Sequence, residues 1–502
     1  MDTPYLGLIA YLVLIAIVGA WTWRMNLTKE DFILGGRKLG AFVIAFSERT
    51  AAESSWLVLG LSGALFAVGM LELWTVVGCV SGIILYWYVI ARRLRVVSEE
   101  FGAITLPEYF FQFSGEQGQL VRFVSMVIII FFFSLYVSAQ FIGAGKVLDV
   151  TFGIPVHWGM PLAAVVVVLY TMMGGFAAVC YTDVVQGFIM VFTLVVMPLV
   201  GLWYLHSNGM ELGPALAAAG DAASVWGGKT GWAAAAAAIG GLSWGLGYMG
   251  QPHLVTKFMA VNRADAIRAS RRVAIVWTLL AYSGAALIGI VGMALVHYGV
   301  VPTAGLTGQG GDPERILPVL ANQLFPAWMA GILISGAVAA MMSTADSQIL
   351  IATSTLVEDV YSKALGRTLT QRGMVRLSRA ITVLVGVAAF ILAWVSKDLI
   401  YGIVSMAWTG LGSSFGPALL LSLHWRRMNG RGVVAGMLVG AGTTVLWNCV
   451  PALDVLISAR FAAFALALAA CVVAALTAPP GRTAVRREPG LPPGGEMAGE
   501  RE

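Results

Sequence analysis

Apolar runs of roughly 20 residues follow one another along nearly the whole chain, each long enough for an α-helix to cross a hydrocarbon core about 30 Å thick. About thirteen such runs are centred near residues 14, 55, 84, 132, 166, 190, 246, 284, 339, 386, 411, 440 and 466. Within lipid every backbone polar group must be bonded internally, and continuous runs of this length meet that demand as helices. An all-α polytopic membrane protein is therefore expected. Of 502 residues, 59% are hydrophobic and 11% charged. A string of soluble domains, with surfaces about a quarter charged or more, is excluded.

The net charge of +5 is distributed topologically. Basic residues collect after alternate spans: Arg24, Lys29, Arg37 and Lys38; Arg92, Arg93 and Arg95; Lys257, Arg263, Arg268, Arg271 and Arg272; Lys363, Arg367, Arg372, Arg376 and Arg379; Arg426, Arg427 and Arg431. The intervening loops hold one or none, such as Lys146, Lys229, Arg315 and Lys397. By the positive-inside rule this places the N-terminus outside and the C-terminus in the cytoplasm of a plasma (inner) membrane protein, and it argues against a nucleic-acid partner. The opening MDTPY is acidic and lacks a basic signal-peptide region, so the first span is expected to be retained. Residues 1–480 read as one transmembrane domain, and the Pro/Gly-rich, charged stretch 481–502 as a disordered cytoplasmic tail. Cys79, Cys180, Cys449 and Cys471 lie inside apolar spans without metal or disulfide spacing, and are expected as small core residues.

The second span is interrupted. Between Leu39 and Met70 the runs LGAFVIAF and WLVLGLSGALFAVGM are each too short to cross alone, and the joining SERTAAESS carries Glu48, Arg49 and Glu53. An ionisable group at mid-bilayer costs roughly 2.5–3.5 kcal/mol on insertion scales, so these groups must face protein, water or a ligand. A discontinuous helix is expected here, its freed backbone lining a cavity. A second break is expected in span 7, where LSWGLGYMGQPH combines Gly245, Gly247, Gly250 and Pro252. Trp244, Tyr248 and Pro252 recur every four residues and read as one face of a helix. Five spans separate the breaks, so the two helices enter from opposite sides. That is the pattern of an inverted repeat, spans 2–6 against 7–11, with the site between the broken helices.

Span 9 sets Ser343 and Thr344 side by side in AAMMSTADSQ. A monovalent cation wants about five or six oxygens, and two hydroxyls plus carbonyls freed by the break could supply them. Asp183, opening span 6, reads either as a helix-terminus carboxylate or as an ion-path residue. Arg37 reads as a positive anchor or a cytoplasmic gate. Tyr136 reads as an interhelical hydrogen-bonder or a ligand. No phosphate loop, nucleophile elbow or paired metal-spaced histidine appears, so neither an enzyme nor a cofactor is expected.

These stretches resemble the sodium/solute symporter family, and most of all its sodium/proline symporters. The similarity runs through DFILGGRKLG, GGFAAVCYTDVVQ, SWGLGYMGQPHLVTKFMA, AAMMST with TSTLVEDVY, and SMAWTGLGSSFGPALL. It implies a LeuT-like 5+5 inverted-repeat core with three further helices, working by alternating access with a bound sodium ion and a small solute as partners. It implies a sodium site from backbone around Thr50 and Glu53, the Ala340 carbonyl and the hydroxyls of Ser343 and Thr344. It further implies a proline pocket of Ser54, Ser55, Tyr136, Trp244, Tyr248 and Pro252, a cation-path role for Asp183 and a cytoplasmic basic role for Arg37.

One departure stands out. The proline symporters carry an aspartate where this chain has Ala52 and a methionine where it has Glu53. The displaced carboxylate has two candidate partners, the fixed Arg49 and the transported ion, and the ion is the favoured expectation. Proton coupling through Glu53, a different organic solute, or a solute sensor of the same fold are the alternatives.

Overall fold

The computed structural model describes residues 5–22, 33–173, 175–308, 311–367, 369–396 and 399–477. Both the expected tail 481–502 and part of the Gly174-Gly175 connection lie outside the described residues. The described chain is almost wholly helical, its one β feature being an isolated parallel bridge between Leu39 and Val261. Ten of the described helices are long and apolar enough to cross a membrane, among them the first, Tyr5–Thr22. Large apolar side chains such as Leu6, Ile9, Phe123, Leu169 and Trp203 stand on the outside of the bundle. A surface of that kind suits lipid and not water.

Both expected interruptions are present. The first segment runs as the helix Ala41–Ala52, leaves helical geometry at Glu53 (φ −99°, ψ 72°), and resumes as a π-helical stretch Trp56–Leu61 followed by Ser62–Val68. Neighbouring side chains satisfy the freed N–H groups: Ser55 N donates to Gln140 Oε1 (3.1 Å) and Trp56 N to Ser54 Oγ (3.1 Å). The second segment passes from Gly231–Leu242 and Trp244–Gly247 through a 3-10 turn, Tyr248–Gly250, to an extended Gln251 and the half-helix Pro252–Met259. Pro252 causes the break, because its ring excludes helical geometry from the residue before it and it has no N–H to give. The Gln251 side chain takes over, donating from Nε2 to Gly247 O (3.3 Å) and Trp408 O (3.0 Å).

Glycines press the second segment between two helices. A Cβ on Gly82 of Leu73–Val89 would lie 2.3 Å from Gly245 Cα, and one on Gly250 would lie 2.3 Å from the backbone nitrogen of Gly416 in Ile400–His424. Small residues at crossings of this kind let backbones approach closely where no hydrophobic drive exists between helices. Ala327–Ser354 packs against the first segment and against Tyr5–Thr22, Gly118–Phe152 and Phe176–Ser207. Cys79, Cys180 and Cys471 are buried as expected, but Cys449 is exposed because it is the last residue of Gly430–Cys449.

At one end the start of the first segment is tied to the chain after the second by Asn262 N to Leu39 O (3.0 Å) and to the next helix, Ile267–His297, by Ser270 Oγ to Ala41 O (2.9 Å). At the other, Glu314 accepts from the backbone N–H groups of Ile400 (3.1 Å) and Tyr401 (2.9 Å) and pairs with Lys146 (2.5 Å). The close crossing predicts that Gly82→Val sharply lowers the yield of folded protein, since overpacking costs about 1–3 kcal/mol even where side chains can yield and here the neighbour is backbone. Fluorescence-detected size-exclusion chromatography of solubilised membranes measures this, with Gly402→Ala, where a Cβ meets nothing within 4 Å, as the tolerated control.

Candidate ion and solute site

The C-terminal turn of Ala41–Ala52 ends on carbonyls that no following helix can use. The Ser-Thr pair of Ala327–Ser354 reaches them. Ser343 Oγ donates to Thr50 O (3.2 Å) or Ala340 O (3.1 Å), and Thr344 Oγ1 to Ala51 O (3.0 Å). Five neutral oxygens thus gather from two elements: the carbonyls of Thr50, Ala51 and Ala340 and the two hydroxyls. All five residues are buried. The set suits a hard monovalent cation, which takes oxygen ligands. Thr50 Oγ1 is itself buried without a hydrogen-bond partner, packed where Gly187 leaves room for it.

Glu53 lies beside this group but spends its oxygens elsewhere. Its Oε1 meets Arg49 Nη1 (3.1 Å) and Tyr248 OH (3.5 Å), and its Oε2 accepts from Tyr282 OH (2.8 Å). The structure therefore gives the carboxylate to the fixed cation, whereas the sequence argument favoured the mobile one. Arg49 also bonds both oxygens of Glu48, and its Nη2 reaches Tyr86 OH (2.7 Å). Glu48 Oε2 accepts in addition from Trp87 Nε1 (3.0 Å). All three charges are fully buried.

Around the break stands an aromatic group. Trp56 and Trp244 have ring centroids 4.5 Å apart, Trp244 and Tyr401 5.3 Å, and Tyr248 meets Trp408 edge-on at 4.6 Å. Tyr136 OH and Ser54 Oγ are 3.3 Å apart. Ser55 Oγ, Trp56 Nε1 and Trp244 Nε1 are buried without a hydrogen-bond partner. Ser54, Tyr136, Trp244 and Tyr248 are thus brought together with Ser55 at the first break. Pro252 stands across the second break, where the extended Gln251 ends the helical register that would have put it on one face with Trp244 and Tyr248. The sequence reading missed Trp56, Tyr401, Trp408, Tyr86, Trp87 and Tyr282. None of them carries a charge or a spacing pattern that would mark it as part of a site.

Farther along, Asp183 Oδ2 accepts from Ser47 Oγ (2.6 Å) and pairs with Lys257 Nζ (2.7 Å). Counted by position, Lys257 falls among the loop cations, but it lies inside the half-helix and is almost wholly buried. Arg37, held at positive φ, donates to Met259 O (2.6 Å), Ala103 O (2.7 Å) and Ser98 O (3.1 Å), joining three segments at that end of the molecule.

Two interrupted helices, with a hydroxyl pair set against the broken backbone of one of them, make this a polytopic transporter of LeuT-like fold. A sodium-coupled sialic acid symporter, solved with substrate bound in an outward-open state, superposes with a TM-score of 0.78 over 96% of this chain and 99% of its own, at 16% identity. The model of the sodium:solute symporter family matches residues 32–440, and the chain belongs to that family. The high-affinity proline transporter PutP of Bacillus subtilis is 38% identical over 86% of this chain and 89% of its own. The sodium/proline symporter of Escherichia coli is 35% identical over 89% of this chain and 88% of its own.

Removing Arg49 would leave Glu48 and Glu53 buried without their counter-charge, and breaking one half of a buried pair costs about 3–5 kcal/mol. Arg49→Met is expected to lose most of its folded population, while Glu53→Gln, which leaves Arg49 paired with Glu48, stays folded. Thermal unfolding of the purified variants measures the difference.

Proposed function

We propose that the protein takes up proline, or a zwitterion of similar size, together with sodium by alternating access. Its N-terminus lies outside and its C-terminus in the cytoplasm of the plasma membrane, as the alternation of basic loops indicates. The observation that carries the reading is the approach of the Ser343 and Thr344 hydroxyls to the carbonyls of Thr50 and Ala51. It links the ion to the solute mechanically. A cation held there bridges Ala327–Ser354 to the end of the first half-helix, just before Ser54 and Ser55.

The solute pocket in this reading is the aromatic group with the polar atoms at its edge. Trp56, Trp244 and Tyr248 supply apolar faces for a pyrrolidine ring. Ser55 Oγ and the indole N–H groups of Trp56 and Trp244, which have no partner of their own, supply donors for a carboxylate. Glu53 acts here as the counter-charge of Arg49, keeping the break rigid while the ion and solute sites load. Spans 2–6 and 7–11 are the two inverted halves that move about this point. The names borne by the relatives at 35–38% identity support both the ion and the solute.

Uptake of labelled proline into proteoliposomes, with and without an inward sodium gradient, tests the proposal. Sodium-driven accumulation is expected, and accumulation driven equally well by a proton gradient in sodium-free buffer would overturn the sodium reading. Ser343→Ala and Thr344→Ala are expected to raise the sodium concentration for half-maximal uptake about tenfold, the loss of about one hydrogen-bond-sized contact. Trp244→Ala is expected to weaken proline binding about tenfold or more with little change in the sodium requirement, by loss of an apolar wall. Equilibrium binding of labelled proline to the purified variant checks this.

A further inference from the structure

The buried Lys257 sits in a cage of oxygens. Four lie within hydrogen-bond distance of its Nζ: Asp183 Oδ2 and Ser47 Oγ (both 2.7 Å), Ser47 O (3.0 Å) and Ser347 Oγ (3.2 Å). They come from three helices, Ala41–Ala52, Phe176–Ser207 and Ala327–Ser354, none of them the lysine's own. An ammonium has three N–H donors, so the cage offers more oxygens than the lysine can bond at once. The surplus is larger still, because Asp183 Oδ1 and both carboxylate oxygens of Asp346 are buried without hydrogen-bond partners. Asp346 lies near enough to act electrostatically on both Asp183 and Lys257. Oxygens converging from several elements on one point, in excess of the donors present, are the pattern of a hard-cation site.

We infer that this cage is a monovalent-cation site filled by the protein's own tethered ammonium, so that Lys257 stands where a free sodium ion would otherwise bind. The chain then carries one mobile cation, at Ser343 and Thr344, and one fixed cation at Asp183. A fixed cation cannot be released with the solute. It holds the half-helix Pro252–Met259 against Ala41–Ala52, and it keeps the ion-to-solute ratio at the value set by the first site alone. The count at the first site rests on the proposed function; the cage stands on its own geometry.

Lys257→Met tests the inference, because methionine ends one atom short of the lysine side chain and leaves the position of Nζ open. The measurement is the number of radiolabelled sodium ions bound at saturation per molecule of purified full-length protein, for the parent, K257M and the double variant K257M/D183N. K257M is expected to bind one sodium more than the parent and to gain more thermal stability from sodium chloride over choline chloride than the parent does. The double variant is expected to return to the parental count. A folded K257M with the parental count would overturn the inference, as would a K257M that fails to fold in sodium, whatever the double variant does. A parent that binds no sodium would defeat the reading of the Ser343–Thr344 site, and the difference between K257M and the parent would still decide the cage.

Discussion

Carbonyl groups at the end of a half-helix inside a membrane have no water to turn to, and an unsatisfied one costs several kcal/mol. The architecture follows from how the last carbonyls before Glu53 are met. Two of them, from Thr50 and Ala51, are met by hydroxyls that are themselves weak and reversible partners. Ala327–Ser354 is therefore held to the first segment by bonds that a cation with the same oxygens can replace. The opposite break is closed differently. There Gln251, a residue of the broken segment itself, bonds back to Gly247 and across to Trp408. At the second break the bridging side chain belongs to the broken segment itself, whereas at the first the carbonyls of Thr50 and Ala51 are met by hydroxyls of a neighbouring helix, and only such hydroxyl contacts leave room for an exchangeable ligand.

Charge is handled separately from this exchange. Glu48, Arg49 and Glu53 all lie within one and a half turns of the broken helix, and they satisfy one another with help from Tyr86, Trp87, Tyr248 and Tyr282. Buried charges are tolerable when paired and further hydrogen-bonded, and a guanidinium with its fork of donors can serve two carboxylates together. The same tyrosine, Tyr248, touches Glu53 and packs against Trp408. The ionic group and the aromatic group thus share a wall, which makes the second interrupted segment sensitive to the state of the first.

Much of the scaffold was legible from the sequence because lipid imposes simple rules. Span length, the polar interruption at Glu48–Glu53 and the Gly/Pro interruption at Gly245–Pro252 all follow from the requirement that backbone be bonded or face a cavity. The approach of Ser343 and Thr344 to the first break was legible from ligand demand, since a monovalent cation wants about five or six oxygens and an adjacent hydroxyl pair adds two to the freed carbonyls. Side-chain pairing was less so. Lys257 reads as a loop cation when charges are counted by position, and its burial depends on a half-helix whose end is set by tertiary contacts with Ser47 and Asp183. Trp56 and Trp408 were missed for a related reason, because a tryptophan beside or within an apolar run has the same pattern whether it faces lipid or another ring. A helical period carried from Trp244 and Tyr248 to Pro252 fails at Gln251, whose extended backbone ends the helix.

The composition of the first ion site has a consequence for turnover. Its five oxygens are carbonyls and hydroxyls; no carboxylate is among them, Glu53 being paired with Arg49 and Asp183 Oδ2 with Lys257. A carboxylate in the set would add a full charge in a low-dielectric interior, where unit charges in contact attract by many kcal/mol. An ion so held would load readily but leave slowly. Conduction and transport require a site strong enough to strip part of the ion's hydration and weak enough to give it back. Neutral dipoles at a helix break meet both conditions, and the pairing of Glu53 with Arg49 keeps the carboxylate nearest the break out of the set.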